Sequence, residues 1–241
     1  MSDFNENKNE IESSETYQND TDNVSAEESV EVEKSKESFN LKKEVLEWIY
    51  TIVTALIVVI VIKGFIFDVV TVDGSSMEKT LSDKDMLIVT KLAYKPEQFD
   101  VIILDSRYAD REEYYASLDK DYNAAEKFFN YYFNLPQNLK RRYYVKRIIA
   151  LPGQTVDIKD GKVLVDGVVL DEPYYDGTTP IIDPTVKYPL TVDENCVFVM
   201  GDNRHHSTDS RASSLGQVPY DAIFGKAQIR FWPLNDIKLI K

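Results

Sequence analysis

Hydrophobic residues are distributed along this chain in three different ways. The first forty or so residues are polar and charged, with no helical or strand period. Such a stretch cannot bury enough surface to offset its ordering entropy, so residues 1–44 read as a disordered acidic tail. From Trp48 to Phe67 the polarity vanishes, and Lys63 is the one charge in the run. A helix of this length matches a hydrocarbon core of roughly 30 Å at about 1.5 Å per residue, which predicts a transmembrane helix over 45–67. Beyond it the apolar residues fall into short Val- and Ile-rich runs bounded by polar or turn residues: VVTV, MLIVTK, DVIIL, YVKRIIAL, CVFVM and AQIRFW. These are strand patterns. Two Asp-Gly dipeptides in TVDIKDGKVLVDGVVL predict consecutive hairpins. The expectation for 68–241 is a mostly β, antiparallel domain. Residues 108–139 break the pattern and read as a helical insertion. There Ala125, Phe128, Phe129, Tyr132 and Phe133 recur at helical spacing, a stripe expected to pack on the sheet.

Charge refines this division. Residues 1–45 hold thirteen Asp or Glu and five Lys, and the remainder is also net negative. Neither part has the basic excess of a nucleic-acid binder. Cys196 is the only cysteine, so no internal disulfide and no CxxC metal spacing exist. A cleaved signal peptide is a poor reading of 48–67, because an acidic stretch of more than forty residues precedes it in place of a short basic segment. Lys34, Lys36, Lys42 and Lys43 before the span outnumber Lys79 and Lys84 after it. That bias predicts a single-pass protein of the cell membrane, N-terminus cytoplasmic, the β domain outside, with the lipid bilayer as a partner.

Candidate chemistry lies just past the span. Ser76 sits in VDGSSMEKTL, and seventy residues later Lys146 sits in YYVKRIIALPG. A serine hydroxyl needs a base beside it to act as a nucleophile at neutral pH. Lysine serves only if burial or a neighbouring cation lowers its pKa. In a strand, Lys146 would share its face with alternate residues, against apolar surface. On composition alone Lys146 reads as a snorkelling surface lysine.

Three segments together resemble the bacterial type I signal peptidase family, the membrane-bound serine–lysine peptidases that cleave signal peptides from exported proteins. They are the Ser76–Met77 box, the Lys146 box, and VFVMGDNRHHSTDSRASSLGQVP. The resemblance covers roughly 45–233 and implies an antiparallel β-sheet signal-peptidase/LexA-like catalytic fold. It implies Ser76 as nucleophile, Lys146 as general base, and Ser207 as a hydroxyl orienting the lysine. Asp209 and Arg211 would form a supporting ion pair, Asp202 and Asn203 would brace a turn, and the Ser76 backbone N–H would serve the oxyanion. The substrate would be an extended preprotein signal peptide with small residues at the cut, beside Val72, Met77, Tyr144 and Val145. Neither a cofactor nor a metal is implied.

The chain departs from the family pattern in several places. Gly74 stands where some members place an oxyanion hydroxyl, Lys79 where proline is usual, Ala150 for a glycine, Gln154 for an aspartate and Phe99 for a glycine. Gly74 also allows a tight turn and close approach of a substrate backbone. Lys79 would either help depress Lys146 or point to solvent. His205 and His206 permit a Ser76–His206–Asp209 alternative. Cys196 reads as a buried small hydrophobe. Two rival functions remain: a self-cleaving repressor, which the acidic tail and span disfavour, and a non-proteolytic signal-peptidase-like chaperone of pilus or surface-protein assembly, which the altered SMEKTL box favours and the retention of Ser76 and Lys146 opposes.

Overall fold

A computed structural model describes residues 41–62, 66–92, 94–118 and 120–240. The tail expected over 1–44 therefore lies mostly outside the described residues. The chain divides into two units, 1–46 and 47–241, and every strand belongs to the second. Of the first unit, the described part is the start of helix α1 (Leu41–Val61), which begins four residues before the expected boundary.

From Trp48 to Ile60 the large apolar side chains of α1 are each at least 46% exposed. Among the described residues, no helix is long and apolar enough to cross a membrane. The first two turns of α1 are spent on Lys42, Lys43, Glu44 and Glu47, and the apolar run continues into residues outside the described set. Phe67, expected inside the span, instead opens strand β1 (Phe67–Thr71).

Among the described residues the strands form two sheets. The larger runs β1, β2 (Met86–Thr90), β11 (Ile223–Trp232), β3 (Val101–Asp105), β4 (Tyr143–Ala150), β9 (Cys196–Met200), β10 (Val218–Pro219), with β12 (Lys238–Leu239) on β11. The smaller holds β5 (Thr155–Lys159), β6 (Lys162–Val165), β7 (Val168–Val169) and β8 (Leu190–Thr191). All neighbouring pairs are antiparallel. The expected Asp-Gly hairpins join β5 to β6 and β6 to β7, with positive φ at Asp160, Gly161, Asp166 and Gly167. Two successive left-handed residues are what a tight turn matching strand twist requires.

Strand β3 shows how the cores are built. Its residues are all buried, because its two faces serve different clusters. Val101 and Ile103 join Leu87, Val89, Met77 and Ala227, whereas Ile102 and Leu104 join Ile148, Val197 and Val199. A two-residue period with both faces covered explains the unbroken apolar run in the sequence. A third cluster, around Ile149, Val156, Val163 and Phe198, ties the small sheet to β4 and β9.

The insertion is helical, as two helices, α2 (Tyr108–Ala116) and α3 (Ala124–Phe133). A capping box starts α3: Asn123 accepts from the Glu126 N–H and Glu126 accepts from the Asn123 N–H. Its aromatic stripe does not pack on the sheet. Phe128, Phe129, Tyr132 and Phe133 are exposed, and Asn130 is the buried residue of α3. The helix leans on α2 through its other face, where Asn130 accepts from the Tyr115 hydroxyl and Lys127 pairs with Glu112.

Candidate active site

Strand pairing leaves one place open. β1 is an edge of the larger sheet, and β9 pairs with β4 only from Arg147 onwards. The Tyr143–Lys146 half of β4 therefore has one side without a strand among the described residues. The β1 edge continues through Val72–Ser76, and the two stretches border one cleft of about 250 Å³. Val72, Gly74, Ser76, Tyr144, Val145 and Lys146 line it. Met77 does not; it is buried at 1% exposure in the first core and anchors the turn that carries Ser76.

In that cleft the Lys146 amine donates to Ser76 Oγ at 2.8 Å and to the Val145 carbonyl at 2.9 Å. Lys146 is 2% exposed, and its amine lies 5.0 Å from the centre of the Tyr144 ring. Burial drives its pKa down to about 8, against the opposing pull of Asp209 and Asp202 and with a smaller push from Arg211. A base that is about half neutral near pH 8 and already touches a hydroxyl can take its proton.

The GDNR–DSR segment holds this pair from behind. Asn203 donates its backbone N–H to the Ser76 carbonyl at 3.0 Å and its side-chain amide to the Ser75 carbonyl and Glu78. Gly201 is pressed against the same turn: a Cβ there would lie 2.5 Å from the Ser76 carbonyl oxygen. Asp209 and Arg211 form a two-pronged ion pair at 2.9 and 2.8 Å, both fully buried. Asp209 also accepts from the Gly201 N–H. Asp202 binds Arg147 in the same two-pronged way and accepts from the Thr80 hydroxyl, so it links β4 to the end of the serine turn.

The structure corrects some expectations and narrows others. Ser207 Oγ is buried but has no hydrogen-bond partner, so the expected bond to Lys146 is not made. The lysine amine is taken up by Ser76 and Val145, and Ser207 packs on Gly201 instead. Lys79 is exposed and pairs with Asp176, and it is not among the groups that shift Lys146. Its φ of 83° is one that proline, fixed near −65°, cannot adopt. Gly74 has φ 97°, which favours glycine whatever the space around it. Cys196 is only partly buried, at the border of the third cluster. His206 lines the cleft, but Ser76 Oγ takes its hydrogen bond from Lys146. Among the described residues, no group of three or more His, Cys, Asp or Glu is placed to hold a metal ion.

The sequence reading missed the arginines. Arg147 and Arg204 are fully buried; Arg204 is held by Glu172, the Thr179 hydroxyl and the Gly201 carbonyl. Their side-chain partners lie 25 to 55 positions away, so no local pattern announces them. The one available signal was their position inside the motif segments themselves.

A serine hydroxyl bonded to a buried, weakened lysine beside two open strand edges is the equipment of a serine peptidase. The model of the signal peptidase family, peptidase S26, matches residues 45–232, and the chain belongs to that family. A signal peptidase I from Bacillus licheniformis is 31% identical, over 84% of this chain and 97% of its own length. Signal peptidase IB of Staphylococcus aureus is 30% identical, over 82% of this chain and 95% of its own. A solved signal peptidase I from Enterococcus faecalis matches at 26% identity, covering 55% of this chain and 97% of that one with a TM-score of 0.35.

Proposed function

We propose that this chain is a membrane-anchored serine endopeptidase that removes N-terminal signal peptides from exported preproteins, with Ser76 as nucleophile and Lys146 as general base. The observation that carries this reading is the 2.8 Å contact from a buried lysine of lowered pKa to Ser76 Oγ. Neutral Lys146 takes the Ser76 proton as the oxygen attacks the scissile carbonyl. The C–N bond then breaks, and the lysine gives its proton to the leaving amine. Water, deprotonated by the same lysine, hydrolyses the acyl-enzyme.

The oxyanion forms close to the Ser76 backbone N–H, which has no acceptor among the described residues. One such donor is typically worth about 2.7–4 kcal/mol of transition-state stabilisation. The substrate enters extended, as a strand between β1 and the open half of β4. Main-chain hydrogen bonds then supply affinity, and Val72, Tyr144 and Val145 shape the side-chain pockets. Asn203, Asp202 and the Asp209–Arg211 pair act through the serine turn and the lysine, as positioning groups.

The anchor is assigned to the apolar run that starts at Trp48. Its large side chains are exposed on every side of α1 and the sequence up to Phe67 carries Lys63 as its one charge, a surface suited to lipid and costly in water. An extracytoplasmic β domain on such a tether keeps Ser76 where cleavage sites emerge, which raises effective concentration without added contacts. The test is cleavage of a preprotein by the detergent-solubilised full chain. Wild type releases the signal peptide and Ser76→Ala does not; an intact preprotein after incubation with wild type would refute the proposal.

A further inference from the structure

The cleft does not stop at the catalytic pair. Val70, Thr71 and Tyr143 border it and also border a second hollow of about 460 Å³, walled by Asp68, Lys91, Arg141 and Phe224. The floor of that hollow is aromatic: the Tyr143 and Phe224 ring centres are 4.7 Å apart. The Lys91 amine lies 4.1 Å from the Phe224 ring centre while paired with Asp68 at 2.8 Å. Arg141 stands exposed at the rim. One strand edge, that of β1, runs along both cavities.

The geometry points to an outer substrate subsite, in which this hollow receives a bulky apolar side chain of the peptide about five to eight residues before the scissile bond, because its wall residues Asp68–Thr71 stand that many positions before Ser76 and an extended peptide advances beside a strand at the same about 3.3 Å per residue. The inference deepens the signal-peptidase reading and rests on it. Direction follows from chain order: β1 opens directly after the segment assigned to the membrane. The apolar stretch of a signal peptide precedes its cleavage site, so a peptide coming from the membrane meets Asp68 and Phe224 before it meets Ser76. Small side chains at the cut contribute little apolar burial. The aromatic floor supplies that burial upstream, and the Lys91 and Arg141 rim disfavours basic residues at the same level. The hollow thereby sets the distance between the apolar stretch and the cut.

Two quenched fluorescent peptides with the same residues at the cut test this on the full chain in detergent. One begins about four residues before the cut and the other is extended to carry a leucine about six residues before it. Wild type is expected to show a KM about five- to tenfold lower for the long peptide, as partial burial of one leucine implies. Phe224→Ala is expected to remove most of that advantage and leave turnover of the short peptide unchanged. Because Phe224 also packs beside the first core, a second arm leaves the enzyme intact: replacing the upstream leucine by serine should raise KM for wild type by the same factor. Equal KM for both peptides, or no response to the serine replacement, overturns the subsite while leaving the peptidase reading standing. Failure of wild type to cleave either peptide or a preprotein overturns both.

Discussion

Lys146→Met should abolish turnover and yet leave the protein slightly more stable at neutral pH. The lysine is buried, and its pKa falls from 10.5 to about 8 on folding. That difference corresponds to about 3 kcal/mol held against the folded state while the amine is charged. The sign follows from proton binding. Between about 8 and 10.5 the unfolded chain keeps a proton that the folded chain has released, so stability rises with pH across this window. Below it both states are protonated and the penalty is complete; above it neither is, and the penalty is gone. Methionine removes the titration but leaves the Ser76 hydroxyl and the Val145 carbonyl without the amine, at about 1 kcal/mol each. The variant should therefore be about 1 kcal/mol more stable than wild type at pH 7 and about 2 kcal/mol less stable at pH 10.5. Urea unfolding of both full-length proteins at several pH values, followed by tryptophan fluorescence, measures the difference, and contributions from all other groups cancel. A difference that stays constant from pH 7 to 10.5 would refute the claim that Lys146 is charge-destabilised by burial.

Three further outcomes follow from the packing behind the dyad. Asn203→Ala removes two side-chain bonds to the serine turn while the backbone bond to Ser76 remains; preprotein assays should find kcat about tenfold lower with KM little changed. Gly201→Ala would set a methyl 2.3 Å from Ser207 Oγ and 2.5 Å from the Ser76 carbonyl oxygen, and the displaced nucleophile should cost about a hundredfold in kcat/KM. Arg211→Met strands the buried Asp209 carboxylate and should destabilise the protein by about 3–5 kcal/mol in chemical denaturation. Adding Asp209→Asn should restore part of that loss.

Much of the β architecture was legible because strands declare themselves locally. Alternation in β2 and the unbroken run in β3 follow from one or two covered faces, and the Asp-Gly turns fall where positive φ is needed. The pairing of Ser76 with Lys146 was legible through three separated motifs, and the structure brings two of them within 2.8 Å at these side chains. What stayed hidden depends on tertiary choices. The α3 stripe has the right period for packing, yet the helix uses Asn130 and Lys127 to dock and leaves its aromatics outside. Arg147 and Arg204 look like ordinary surface cations until distant carboxylates bury them. Whether the Ser207 hydroxyl meets the lysine depends on side-chain placement, which spacing cannot decide. Two departures from the family pattern near the serine have a backbone reason: the positive φ of Gly74 favours glycine, and that of Lys79 excludes proline.

The pH dependence of kcat/KM for preprotein cleavage tests the Ser76–Lys146 assignment most directly. The base form of Lys146 is the active one, so the rate should rise with pH through an apparent pKa of about 8. Lys146→Met and Ser76→Ala should be inactive throughout, and His206→Ala should follow the wild-type curve. Cleavage by Lys146→Met, or loss of the profile in His206→Ala, would contradict the account.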